Sequence, residues 1–158
     1  MASKTSNYPV AFYFELSFKG EDAAFQEVTG ISKELSIEEV VCGGENRFKY
    51  RLPGIATSQN LVLKRAVVAE GSKLIDWCAA SIDGGLTLKI QPHDVTVSLL
   101  DGSGMVSVMW TFYNAYPVKY SVSDLKSQDN NLAIETIELA YTYFEVANDT
   151  MFGNLFNS

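Results

Sequence analysis

The chain has 158 residues, 47% of them apolar, and a formal net charge of −7. That length suits one domain with its own core. The acidic balance argues against nucleic-acid binding by the surface as a whole, because contacts to phosphates need lysine and arginine in excess.

Residues 1–8 read as a flexible leader. The stretch "MASKTSNYPV" has no apolar run of a secretory signal, and no segment has the roughly 20 apolar residues that a spanning helix needs. "VAFYFELSF" then alternates, with Phe12, Phe14, Leu16 and Phe18 on one side and Tyr13, Glu15 and Ser17 on the other. This is the two-residue period of a half-buried strand. "KGEDAA" reads as a polar turn. "FQEVTGISKELSIEEVV" reads as a second long strand bent at Gly30, with Ile31, Lys33, Leu35 and Ile37, an apolar face broken by the lysine, opposing Ser32, Glu34, Ser36 and Glu38. A charged segment at 43–59 follows and reads as a loop too long for an ordinary connection. "LVLKRAVV" is a further strand.

"EGSKLIDWCAASI" predicts the one helix, capped by Ser72, with an apolar stripe at Leu74, Ile75, Trp77 and Cys78, and stopped by "DGG". "LTLKIQPHDVTVSLL" and "MVSVMWTFYNAYPVKY" form a hairpin around "DGSG". Leu86, Leu88, Ile90, Val95, Val97 and Leu99 line one face and Val106, Val108, Trp110 and Phe112 answer them, while Thr87, Lys89, Gln91, Thr96, Ser98, Ser107 and Thr111 lie on the opposite faces. Pro92 rules out an unbroken central strand there. "LAIETIELAYTYFEV" predicts the last strand, with Glu135 and Glu138 on opposite faces. A tail at 147–158 carries Met151, Phe152, Leu155 and Phe156, an apolar end suited to docking on a neighbouring chain. The fold class is mainly β: a small antiparallel barrel or sandwich with one flanking helix, in a single domain spanning 1–158.

Chemistry is hard to find. Cys42 and Cys78 have no CxxC spacing and read as small hydrophobes. His93, the lone histidine, reads as a surface residue without metal partners. "GSK" at Gly71–Lys73 lacks the pattern of a phosphate loop, and "NDT" at Asn148–Thr150 fits a glycosylation site by chance. The residues offer no catalytic, metal-binding or cofactor-binding set. A monomeric ligand-binding barrel, or a hydrolase built on His93, stays open as another class.

The segments "FYFELSF", "FQEVTGISKE", "GGEN", "LPG", "NLVLKRAVV", "WTFYNAYPVKY" and "AIETIELAY" occur in one order over nearly the whole chain. As an ordered set they resemble the tail-tube proteins of contractile phage tails and related injection systems. The resemblance implies a tail-tube-like fold and hexameric rings stacked into a hollow tube. It implies a sheath that contracts around the tube, baseplate, spike and tube-end proteins as partners, and DNA or protein effectors as cargo. It implies no enzyme activity, no cofactor and no membrane anchor. The subunit would be cytoplasmic before assembly and afterwards part of a virion or phage-tail-like particle. A tube initiator joining the baseplate or spike to the tube is the alternative.

The residue pattern suits that assembly. Long strands with one apolar and one small polar face would expose unpaired edges, and neighbours in a ring would pair them. The expected channel residues are Ser32, Glu34, Ser36, Glu38, Thr87, Lys89, Thr96, Ser98, Ser107 and Thr111. The expected arm reaching the next ring carries Glu45, Arg47, Phe48, Lys49, Tyr50 and Arg51, whose charges would set register while the aromatics anchor. The helix would lie outside, with Lys73 and Asp76 toward the sheath.

Overall fold

The computed structural model describes residues 12–40, 43–44, 49–67, 71–84, 89–123 and 133–147. Strand β1 (Tyr13–Phe18) turns through Lys19 and Gly20, both at positive φ, into β2 (Glu21–Phe25). The expected polar turn is therefore only two residues long. Ala23 and Phe25 alternate with Asp22 and Ala24, and that period buries them opposite Leu16 and Phe14.

Past Gln26 the same chain continues as β3 (Glu27–Thr29) and crosses to β6 (Leu61–Ala66). Strand β7 (His93–Leu100) pairs with β1 and with the first half of β8 (Val106–Val122). The second half of β8 pairs with β9 (Ile134–Ala140), and β9 pairs with β6. The order is β2-β1-β7-β8-β9-β6-β3. Its two ends are consecutive pieces of one bent strand, and the Gln26 N–H donates to the Lys64 carbonyl at 2.9 Å. The sheet thus wraps into a barrel.

Strand β8 runs beyond the expected end at Tyr116. Asn114 takes a left-handed conformation with φ 55°, and its N–H donates to the Asp94 carboxylate at 3.0 Å. Asparagine tolerates that conformation better than most residues. The irregularity there lets Phe112 and then Ala115 both point inward as β8 passes from β7 to β9. The expected strand at 86–100 is shorter: residues 85–88 lie outside the described residues, and β7 starts at His93, after Pro92. The expected last strand is two. A break at Tyr141–Thr142 separates β9 from β10 (Tyr143–Ala147), which pairs with β8 along Met109–Tyr113.

The core is filled by Leu16, Phe18, Phe25, Leu61, Leu63, Val95, Val97, Phe112, Ile137 and Leu139. Helix α1 (Lys73–Asp83) closes one side with Leu74, Trp77 and Cys78, the i, i+3, i+4 positions of one helical face. Ser72 caps it as expected, accepting from the N–H groups of Leu74 and Ile75, and the Glu21 carboxylate from β2 accepts from Lys73. Cys78 is a free thiol pushed up to about 12, first by burial and then by Glu135.

A polar cluster sits inside. Arg65 and Glu135 are register partners on β6 and β9, both buried, with Arg65 Nε 2.6 Å from Glu135 Oε2. The Tyr120 hydroxyl donates to Glu135 Oε1 at 2.6 Å, and the guanidinium lies 4.9 Å from the Phe25 ring centroid. Glu135 and Glu138 do face opposite ways: Glu135 is buried in line with Ile137 and Leu139, while Glu138 accepts from Asn60.

Candidate functional site

The segment expected as a loop is half of a hairpin. Strand β4 (Glu34–Val40) pairs with β5 (Tyr50–Thr57) in a separate two-stranded sheet that stands off the barrel. Every residue of β4 is exposed, and only Gly54 of β5 is even half-buried. The arm is apolar nonetheless: Ile55 is 82% exposed, Leu35 54% and Ile37 51%, with Tyr50 and Leu52 also uncovered. Aliphatic and aromatic residues suit a pleated strand, which is why the charged, loop-like composition of this segment still extends.

The root of the arm is Gly30, with φ 89°. A Cβ there would collide with the Asn60 carbonyl on the returning leg, so only glycine fits where the two legs cross. Lys33 places its ammonium 4.3 Å from the Phe144 ring centroid, fixing the arm against β10. A register shift between Leu35 and Ile37 adds a bulge, where the Ser36 hydroxyl donates to the Ile55 carbonyl at 3.0 Å.

Register decides which of the expected residues share a face, because directly opposed residues point the same way. Glu34 opposes Thr57 and Glu38 opposes Leu52, so Glu34 and Glu38 share a side with a leucine. Arg51 opposes Glu39 on the other side, and Lys49 lies 3.6 Å from Glu39. Lys49, Tyr50 and Arg51 thus belong to the hairpin itself; Glu45, Arg47 and Phe48 lie outside the described residues, as does Thr87.

On the barrel, Thr96 opposes Thr111 and Ser98 opposes Met109, while Ser107 falls in a bulge of β8 between Val106 and Val108, where the register shifts. Glu15, Ser17, Tyr113, Tyr143 and Glu145 extend this non-core face across β1 and β10. Tyr113 stacks on Tyr143 and donates to Glu145 at 3.0 Å, which raises the Tyr113 pKa. Two expected channel residues depart from the group. Ser98 is buried. Lys89 precedes Pro92, outside β7, and lines a cleft beside α1. Ser32 is half-buried at the arm's root.

The expectation of open sheet margins holds only for part of the molecule. The barrel body closes on itself through β2 and β3. Unpaired edges remain, among the described residues, on both sides of the arm, on β10, which has β8 as its one partner, and on the outer sides of β2 and β3, which pair only with β1 and β6. The reason is the kink at Gln26, which lets one strand serve both ends of the sheet.

Lys73 and Asp76 are exposed on the outer side of α1. His93 is half-buried at the edge of an open cleft beside α1, packing edge-on to Phe18 at 5.5 Å and to Trp77 at 5.6 Å. Burial, then Lys19, lowers its pKa, and Asp94 opposes that shift. Among the described residues no cluster of three or more His, Cys, Asp or Glu could hold a metal, and no helix is long and apolar enough to cross a membrane.

An exposed, half-apolar hairpin standing off a closed barrel is thus the most open part of the described residues. A sequence model of the T4-like virus tail tube protein gp19 matches residues 10–145. The chain belongs to the T4-like virus tail tube protein family. Among solved structures, this tail tube protein resembles a chain of the anti-feeding prophage baseplate at 25% identity and a TM-score of 0.70, covering 94% of this chain and 98% of that one. A chain of the PVC extracellular contractile injection system, in its extended sheath–tube complex, shares the fold at 23% identity and a TM-score of 0.73, covering 90% and 94%. Hcp1 from Flavobacterium johnsoniae is more distant, at 17% identity and a TM-score of 0.57, covering 86% and 95%. No protein with a curated description matches the chain.

Proposed function

We propose that this tail tube protein is the repeating subunit of the inner tube of a contractile tail or injection system. Copies form hexameric rings, rings stack into a hollow conduit, and a surrounding sheath drives the conduit through a target envelope. The observation that carries the reading is the arm. It leaves two sheet edges and the side chains of Leu35, Ile37, Tyr50, Leu52 and Ile55 uncovered in a single copy. Open edges with apolar faces aggregate unless something pairs them. Identical copies supply such a partner in a closed ring.

In this reading Glu34, Ser36, Glu38, Thr96, Ser107 and Thr111 line a wet channel. Ser32 stands at its rim, and DNA or protein effectors pass along it. Lys49, Tyr50 and Arg51, with the neighbouring Glu45, Arg47 and Phe48, meet the next ring. Joining unlike faces makes the contact heterologous, so it propagates as a filament. The protein is a conduit and performs no catalysis. It folds in the cytoplasm and then becomes part of a virion or phage-tail-like particle.

A second reading is supported by the anti-feeding prophage baseplate chain, whose length is almost wholly covered. Here the subunit joins the baseplate or spike to the tube. A repeating subunit polymerises alone into filaments, whereas an end subunit stops at a ring. Sedimentation velocity across a concentration series tests the main reading: rings or longer species should appear as concentration rises. A particle that stays monomeric at every concentration contradicts it.

A further inference from the structure

Two open clefts adjoin along one flank of α1. The first, about 490 Å³, lies between Lys73, Asp76 and Ala80 of the helix and Lys19 and His93 of the barrel. The second, about 340 Å³, continues past Ala80 to Lys89 and Ile90. Trp77, Ala80 and Gln91 line both, which makes them one groove.

Its floor is apolar and fixed. Trp77 stacks on Phe18 with centroids 4.5 Å apart, and its indole N–H donates to the Gln91 carbonyl at 3.1 Å. Ala80 is exposed, and Ile90 is uncovered at the far end. Of the lining residues Lys19, Lys73 and Lys89 are cationic and Asp76 alone is a carboxylate, with Glu21 just beyond on the Lys73 N–H. A basic rim around an apolar floor runs against the grain of a chain whose net charge is −7. Complementary charge steers a partner and selects among partners, and an apolar floor supplies affinity where water is excluded.

We propose that this groove docks an acidic, partly apolar segment of the sheath subunit. Its apolar side chains sit on the Trp77–Ile90 floor and its carboxylates meet Lys19, Lys73 and Lys89. The sheath subunit as the source of that segment rests on the tube reading above; the chemistry of the groove does not.

The test uses the full-length protein and overlapping labelled peptides covering the cognate sheath protein, read by fluorescence anisotropy. The result expected is that an acidic peptide binds. Its binding falls roughly tenfold or more in the Lys19→Glu/Lys73→Glu/Lys89→Glu variant, as losing about three partly screened ion pairs would allow. Salt of about 0.5 M weakens it similarly. Ala80→Glu, which puts a carboxylate on the floor, also blocks it. Thermal melting and ring formation of both variants match the wild type. The proposal is overturned if no sheath peptide binds, if the binder is indifferent to charge reversal, or if the reversal abolishes ring formation, which would place the groove between copies. A wild-type chain that binds the peptide but never forms rings would sink the tube reading and leave the groove standing.

Discussion

Replacing Glu135 by leucine should unfold this protein far more readily than any surface change. The carboxylate is the ion-pair partner of buried Arg65 at 2.6 Å and the acceptor for the Tyr120 hydroxyl, also at 2.6 Å. Glu135→Leu strands a guanidinium in the core, and breaking a buried pair from one side costs about 3–5 kcal/mol. The Tyr120 hydroxyl is partly exposed and can turn to water, so it adds little. Against a typical total of about 5–15 kcal/mol, that loss is a large share. With a urea slope of about 2 kcal/mol/M, the midpoint falls by about 1.5–2.5 M. The double variant Arg65→Met/Glu135→Leu removes both charges and should recover most of the loss, because an apolar pair of similar volume is often neutral or better. Urea unfolding followed by circular dichroism, at concentrations where the chain stays monomeric, measures both, since assembly would add stability by mass action. A single variant costing under about 1 kcal/mol, or a double variant as unstable as the single one, refutes the reasoning.

Gly30→Ala should displace the arm, because the added Cβ meets the Asn60 carbonyl and φ 89° is strained for alanine; faster amide exchange across Glu34–Val40, with the β7–β8 amides unchanged, would show it. Ser72→Ala should cost about 1 kcal/mol through the lost helix cap, a drop readable in the same urea titration. His93 has a folded pKa below its unfolded value, so its contribution is fully present above about pH 6.5 and is lost as pH falls through the folded pKa; His93→Phe should flatten the stability profile in that window. Cys78 titrates near 12 when folded, so with Cys42→Ser the native protein should resist a thiol reagent at pH 8 and react once unfolded.

Most of the barrel was legible because its strands alternate cleanly. The facing of Val95 and Val97 onto Phe112 and Trp110 is the one expected. So are the bend at Gly30, the Ser72 cap and the shared face of Thr96 and Thr111. What was not legible depends on long-range pairing. Strand β5 hides in "YRLPGIAT", where Pro53, Gly54 and the charges read as loop, and only Glu34–Val40 opposite turns it into a strand. Arg65 and Glu135 lie 70 positions apart, and each reads as a surface charge until β6 meets β9. Self-closure of the barrel turns on one kink at Gln26, which no periodicity marks. The aromatic packing of His93 was not legible because its neighbours come from β1 and α1.

The central claim is that other copies of this chain complete the arm. A cryo-electron microscopy reconstruction of the assembled protein tests it most directly. The expected map shows stacked hexameric rings in which the Glu34–Val40 and Tyr50–Thr57 strands pair or pack against neighbouring copies and the Thr96–Thr111 face borders the lumen. A map with the arms free in solvent, or with that face turned outward, contradicts it.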